Sequence, residues 1–315
     1  MSAAACLLLY GVTFAVLAPP PLARLTRSGT FPRLGVAVWL AAIGSVIGSL
    51  AAAAALLGAE LVRDWSLPRR TLMATCLTQI RAAATGAYGP HVRTAVFMLA
   101  GVAAIALSVL LLRLGRTWRR ARDATHAHAR MVRLAGATRP DLGAVVLDVP
   151  ERAVYCVAGH PNTIVFTTGA LAALDPAQVS AVLAHEHAHL AGRHHLLLAL
   201  TRSLRTCMPR VQLFTRGADE VARLLEMSAD DVAARTHGPR VLVKALVGLA
   251  GPARLPAGVL AASGVDVLAR VERLATPTTA GNRSQALLQL ALTMTAVTVA
   301  PLFLGLLAVC GPLLS

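Results

Sequence analysis

The chain has 315 residues, of which 56% are hydrophobic and only 14% are charged. Its mean hydropathy of +0.63 is too high for an ordinary soluble protein and indicates a membrane protein. The net charge of +15 is carried almost entirely by arginine, but only 4% of the residues are aromatic. A nucleic-acid-binding surface with stacking aromatic side chains is therefore not expected. The five cysteines form no C-x-x-C pair, which argues against a disulfide framework.

Four apolar stretches are long enough to cross a bilayer, which needs about 20 residues. They cover residues 2–23, 34–57, 94–112 and 286–314. A cluster of arginines follows the third stretch, at Arg113, Arg116, Arg119, Arg120 and Arg122. Because positively charged residues favour the cytoplasmic side of a membrane, we expect the chain after residue 112 to be cytoplasmic. The predicted location is a bacterial-type inner membrane, crossed several times.

The region between the third and fourth stretches has the pattern of a mixed domain. Short β-branched runs predict strands at residues 144–147, 153–158 and 164–168. An apolar helical pattern then begins near Val179, and we expect this helix to continue towards Arg205. A second helical pattern covers residues 221–234. The predicted domains are a membrane region at 1–112, an α+β domain at 113–285 and a membrane helix at 286–315.

The first of these helices carries the segment His185-Glu186-His187-Ala188-His189. His185 and His189 are four residues apart and share one face, so two imidazole nitrogens can bind one zinc ion. Glu186 lies between them in sequence and can take a proton from an attacking water. His187 is two residues from each ligand and points to the other face. The alternative interpretation is an amphipathic helix with surface histidines.

The second helical pattern supplies a third ligand and a supporting carboxylate. Glu226 can complete a site of two histidines and one glutamate, which leaves the fourth position of zinc open. Asp230 is on the same helix face, four residues further on. It can accept a hydrogen bond from a ligand histidine and fix the tautomer of that imidazole. The alternative for Glu226 is a solvated carboxylate on a helix.

These residues resemble the gluzincin membrane proteases, both the BlaR/MecR-type antirepressor proteases and the HtpX/Ste24-type proteases. The resemblance covers about residues 144–234. It implies one zinc ion per chain, with ligands at His185, His189 and Glu226, a catalytic base at Glu186 and an orienting carboxylate at Asp230. Many relatives have an aspartate five residues after the second zinc histidine, whereas this chain has His194.

The resemblance also implies how substrate is held. In such proteases an edge strand beside the cleft pairs with an extended substrate, and we assign that role to the third strand, residues Ile164, Val165, Phe166 and Thr167. Zincins often add one donor for the oxyanion. His237, Arg270 and Arg273 are the candidates for this donor, and the sequence does not choose among them.

The predicted fold is therefore an α-helical membrane protein of about four transmembrane helices with a cytoplasmic α+β zincin-like metalloprotease domain. The expected function is that of a zinc metalloendopeptidase that cleaves a cytoplasmic transcriptional repressor. An HtpX-like quality-control protease and a non-catalytic membrane signalling scaffold are the alternatives. The expected partners are a protein or peptide substrate, such as a winged-helix repressor, and the lipid bilayer, without direct nucleic-acid binding.

Overall fold

A computed structural model of the chain describes residues 3–63, 90–159, 161–251, 260–276 and 279–310. This part of the chain is mostly helical and contains one small sheet. Its elements in chain order are α1 (Ala3–Leu17), α2 (Pro19–Thr26), α3 (Pro32–Arg63), α4 (Pro90–Ala135), β1 (Ala137–Arg139), β2 (Ala144–Leu147), β3 (Val154–Val157), β4 (Thr163–Thr167), α5 (Thr168–Ala173), α6 (Pro176–Ala191), α7 (His194–Cys207), α8 (Gln212–His237), α9 (Pro239–Ala250), α10 (Leu260–Ala275) and α11 (Ala280–Cys310).

Two of the described helices are long and apolar enough to cross a membrane, over Pro32–Leu56 and Ala280–Phe303. The first predicted span corresponds to two helices, α1 and α2, which meet at an angle of 52°. If this bent pair crosses the membrane as one unit, the described residues contain three candidate spans. Pro19 begins α2, because proline fits the first turn of a helix, where its missing N–H is not needed. The third predicted span, residues 94–112, lies within α4, but its side chains up to residue 107 are outside the described ones. That span stays a prediction.

The first half of α3 packs against α8 in a core that joins the membrane region to the rest of the protein. Trp39 of α3 is fully buried there, and its indole N–H donates to the hydroxyl of Thr26, 3.2 Å away. The two helices approach closely at Gly217. A Cβ atom there would lie 3.2 Å from the side chain of Ile43 and 3.3 Å from the Trp39 ring. A helix that is long and apolar enough to cross a membrane is thus part of the same packed unit as the helix that carries Glu226.

The loop between α2 and α3 is also held on α8. The guanidinium of Arg223 donates to the carbonyl oxygen of Thr26 over 2.9 Å. Arg33, at the start of α3, donates to the hydroxyl of Ser228 over 3.3 Å. Ser228 is two residues from Glu226, so the point at which α3 begins lies close to the predicted metal ligand.

The sheet has the strand order β1-β2-β4-β3. β2 and β4 are parallel, whereas β1 and β3 run antiparallel to their neighbours. The three predicted strands are present, and β1 is an additional strand that the sequence did not indicate. β4 is paired on both sides and all five of its residues are buried. The prediction that residues Ile164, Val165, Phe166 and Thr167 form the substrate-binding edge is therefore wrong, because their backbone groups already pair with β2 and β3.

Helices cover both faces of the sheet. Successive residues of a strand point to opposite faces. Val165 accordingly packs with Ala129 and Val132 of α4, whereas Ile164 and Phe166 pack on the side of α6. α4 is 46 residues long and continues without a break from the predicted membrane region to the sheet. Its His128 ring stacks on Tyr155 of β3, with the ring centres 5.8 Å apart.

Candidate metal centre

Local signals fix the start of α6, the helix that carries both histidines. The side chain of Asp175 accepts from the backbone N–H of Gln178 over 2.8 Å, and the side-chain oxygen of Gln178 accepts from the backbone N–H of Asp175 over 3.2 Å. This reciprocal capping box, with Pro176 in the first turn, satisfies helix N–H groups that would otherwise lack partners. The helix therefore begins at Pro176, and His185, Glu186 and His189 are among its buried residues.

Two imidazole nitrogens of α6 and the Glu226 carboxylate of α8 converge. His185 Nε2 lies 3.1 Å from His189 Nε2 and 3.5 Å from Glu226 Oε2. His189 Nε2 lies 3.4 Å from Glu226 Oε1. A tetrahedral zinc site with bonds of about 2.0–2.1 Å places its donors about 3.3–3.4 Å apart. The separation of the two nitrogens and the distance from each to its nearer Glu226 oxygen are close to this value, and the donor types are those that zinc prefers.

Behind these ligands, Asp230 is completely buried beside His185. His185 Nδ1 lies 3.1 Å from Asp230 Oδ1, although no aligned hydrogen-bond partner for this nitrogen is found in the described residues. Arg270 of α10 binds Asp230 through two hydrogen bonds of 2.8 and 2.6 Å. Its Nη1 also lies 3.2 Å from Glu226 Oε2. One arginine thus holds both carboxylates of the site.

The buried charges shift the pKa values of the ligands in opposite directions. Burial alone would lower the pKa of His185, but contacts with Asp230 and Glu226 raise it to about 9. Burial lowers the pKa of His189 to about 4. Burial would raise the pKa of Glu226, but His185 and Arg270 outweigh it and bring that pKa to about 2. The carboxylate is therefore ionised and available as a metal ligand at neutral pH.

Glu186 lies beside the ligands, against the edge of the sheet. Burial raises the pKa of Glu186 above its ordinary value and outweighs the opposing effects of His185 and of Cys156 in β3. The pKa of the Cys156 thiol is itself raised to about 12, first by burial and then by the nearby Glu186. A carboxylate whose pKa is moved towards neutrality is suited to accept and release a proton during a reaction.

A family model described as peptidase family M48 matches residues 119–218, a range that contains α6 and ends before Glu226. This match supports a family M48 metalloprotease. Family M48 peptidases are zinc-dependent as a rule, which agrees with the group formed by His185, His189 and Glu226. No curated protein and no solved structure gave a significant match to the chain. Together with the apolar helices, these findings support a membrane-associated zinc metalloprotease.

Only one of the three candidates for the oxyanion donor lies at this centre. His237 is at the C-terminal end of α8, about 16 Å along the helix axis from Glu226 at 1.5 Å per residue. Arg273 binds Asp231 and the carbonyl oxygen of Gly29, on another side of α8. Arg270 is at the centre, where its described contacts are with Glu226 and Asp230.

Sequence patterns did not indicate three contacts at the centre: those of Cys156 with Glu186, of Arg270 with Asp230 and of His194 with His189. Cys156 is a lone cysteine in a strand, and the contact of Arg270 joins residues 40 positions apart. The third contact is made by His194, whose Nδ1 lies 2.9 Å from His189 Nδ1. The prediction that the zinc helix continues towards Arg205 is wrong. α6 ends at Ala191, and a turn at Gly192 and Arg193 precedes α7.

Proposed function

We propose that the chain is a multi-pass integral membrane zinc endopeptidase. His185, His189 and Glu226 hold the metal, and Glu186 is the catalytic base. The convergence of the two histidine Nε2 atoms, 3.1 Å apart, with the Glu226 carboxylate, whose nearer oxygen lies 3.4–3.5 Å from each nitrogen, carries this proposal because these donor types and short separations suit a zinc site.

The reaction is the hydrolysis of a peptide bond. A zinc ion held by His185, His189 and Glu226 would supply Lewis acidity, which polarises a scissile carbonyl and lowers the pKa of a water molecule to near neutrality. The Glu186 carboxylate takes a proton from the attacking water and passes it to the leaving amine. Asp230 and Arg270 keep the His185 imidazole and the Glu226 carboxylate in position, so that no rearrangement is needed during the reaction.

The substrate segment lies along β3, the strand that forms the edge of the sheet beside α6. Within the described residues β3 pairs with β4 alone, and the backbone of its Cys156 interacts with the Glu186 carboxylate. An extended peptide would add to the free edge of β3 and take the place of this contact. Cys156 belongs to this strand and contacts Glu186. A peptide paired with Val154–Val157 would therefore pass the catalytic base. This role replaces the one predicted for residues 164–167.

The substrate that we propose first is a cytoplasmic transcriptional repressor of the winged-helix type, cleaved on the cytoplasmic side of a bacterial inner membrane. The resemblance to the BlaR/MecR-type proteases supports this choice. The arginine cluster at residues 113–122 supports the orientation, because positive charge marks the cytoplasmic end of a membrane helix.

A second candidate function, the degradation of membrane proteins, is favoured by one observation. Arg33 at the start of α3 donates to Ser228, two residues from the ligand Glu226. α3 contains the span Pro32–Leu56, so the centre lies near the level at which the chain enters the bilayer. Segments of other membrane proteins close to the bilayer surface are thus within reach.

The catalytic proposal is tested with three variants of the full-length protein in detergent. Glu226→Ala should lose bound zinc and proteolysis together, because only two of the three protein ligands of the metal remain. Glu186→Gln should keep zinc and lose proteolysis, since an amide cannot accept the proton. His187→Ala is the matched control, because His187 is exposed on the same helix and its Nδ1 is bonded to the carbonyl oxygen of Leu183. A Glu226→Ala protein with the zinc content of the wild type contradicts the proposal.

The same Glu186→Gln variant separates the two substrate classes. It should bind substrate without cleaving it, so a covalent cross-link formed in cells identifies the trapped protein. A DNA-binding repressor supports the regulatory function, and integral membrane proteins support quality control. Proteolysis at the wild-type rate by this variant would contradict the role of Glu186 as catalytic base, and absence of proteolysis by the zinc-loaded wild type would favour the scaffold alternative.

A further inference from the structure

The turn between α6 and α7 brings a third histidine against the metal centre. Gly192 ends α6, and Arg193 adopts a left-handed conformation with φ of 50°, which is uncommon for a residue other than glycine. His194 then begins α7, and its side chain is 7% exposed. The chain reverses its direction within these residues, so the His194 ring packs back against the end of α6.

His194 contacts one of the predicted zinc ligands, His189. The Nδ1 atoms of His194 and His189 are 2.9 Å apart, and the two rings meet edge to face with centres 4.7 Å apart. The opposite nitrogen of His189, Nε2, faces His185 and Glu226. His194 therefore stands behind the ligand and not on the metal side.

The proton positions follow from these contacts. A metal bound to His189 Nε2 requires this nitrogen to be unprotonated, so the single proton of the neutral ring is on Nδ1. This Nδ1–H then donates to His194 Nδ1, which must offer a lone pair. His194 is consequently neutral, with its own proton on Nε2.

We propose that His194 is the positioning residue of the zinc ligand His189, and that a neutral imidazole here does the task for which a carboxylate is usual. The proposal rests on the metal centre described under the proposed function. Accepting the Nδ1–H of His189 fixes the tautomer that can bind metal and fixes the orientation of its ring. In the families that the chain resembles, many members have an aspartate at the position of His194.

Gly192 belongs to the same arrangement. A Cβ atom at position 192 would lie 2.4 Å from His194 Nε2 and 2.5 Å from His194 Cδ2. Any larger residue would push the imidazole off its place. Gly192 and His194 therefore form one unit, and changes at the two positions should affect the metal through the same contact.

The test is the zinc affinity of the full-length protein in detergent, measured by competition with a chromogenic chelator. His194→Ala should weaken zinc binding by about 10- to 100-fold, the usual effect of losing a group that orients a metal ligand. His194→Asp should bind zinc nearly as tightly as the wild type, because a carboxylate also accepts the Nδ1–H of His189. The neighbouring His195→Ala is the matched control and should leave zinc affinity unchanged.

Gly192→Ala provides a second route if His194→Ala does not fold. It should weaken zinc binding as well, and the double variant should bind no more weakly than His194→Ala alone, because both changes remove one contact. Equal affinity of His194→Ala and the wild type overturns the proposal, and so does an equal loss in His195→Ala. If zinc binding of the wild type does not depend on Glu226, the proposed function fails too. Dependence on Glu226 without dependence on His194 overturns this inference alone.

Discussion

Replacing Arg270 with methionine should destabilise the protein strongly, even without metal. Arg270 is 8% exposed and Asp230 is fully buried, and two hydrogen bonds join them. Methionine fills a similar volume but removes both hydrogen bonds of the guanidinium, which leaves the buried Asp230 carboxylate with His185 as its remaining charged neighbour in the described part of the chain. A carboxylate in this state cannot regain the hydration that it lost on folding.

The size of the effect can be set from this geometry. Removing one partner of a buried ion pair costs about 3–5 kcal/mol. For a protein of this size, each kcal/mol lowers the melting temperature by about 2 °C. The expected decrease is therefore about 6–10 °C. The matched control is Arg205→Met, because Arg205 and its partner Asp219 are 51% and 64% exposed and such pairs contribute about 1 kcal/mol or less.

Thermal unfolding of the full-length variants in detergent, with zinc removed by a chelator, measures both changes. A double variant, Arg270→Met with Asp230→Asn, adds a further condition. It removes the buried negative charge and should melt above Arg270→Met alone. Equal decreases for Arg270→Met and Arg205→Met would refute the reasoning, because burial would then make no difference to the pair.

Two other outcomes are expected from the structure. Arg270 and His185 overcome the effect of burial and bring the pKa of Asp230 to about 2, below its ordinary 3.8. This group adds about 2 kcal/mol of stability that is complete above about pH 5 and is lost as the pH falls towards 2. The melting temperature of the metal-free protein should fall between pH 5 and pH 3. This fall should be smaller in Asp230→Asn, and an equal fall in the variant would contradict the prediction. Gly169→Ala should cost about 1–3 kcal/mol, because its Cβ would lie 2.0 Å from the carbonyl oxygen of Pro150. The control Gly115→Ala, with no described atom within 4 Å, should be neutral or stabilising in the same melting assay, and equal decreases would exclude the clash.

The parts of the structure that were predictable from sequence depend on local patterns. Helical spacing alone placed His185 and His189 on one face, and the same rule placed Glu226 and Asp230 together. The β-branched runs gave the positions of three strands, with residues 144–147 matching β2. These features follow from the periodicity of single elements, so no knowledge of distant neighbours is needed.

The parts that were missed depend on which distant segments meet. Strand order is decided by pairing between segments, so sequence could not show that β4 is central and β3 is the edge. The end of α6 carries a glycine but no proline, and the turn is stabilised by His194 packing on His189. Arg270 binds a carboxylate 40 residues before it, and nothing in a helical pattern announces that contact.

The stacking of His128 on Tyr155 couples α4 to the strand beside the candidate metal centre. Tyr155 immediately precedes Cys156, the residue that contacts Glu186, and Val157 of the same strand packs on Ala129 of the helix. A shift or rotation of α4 would break these contacts unless β3 moved with it. If residues 94–112 of α4 cross the bilayer as predicted, tension in the membrane would reach β3 through this helix.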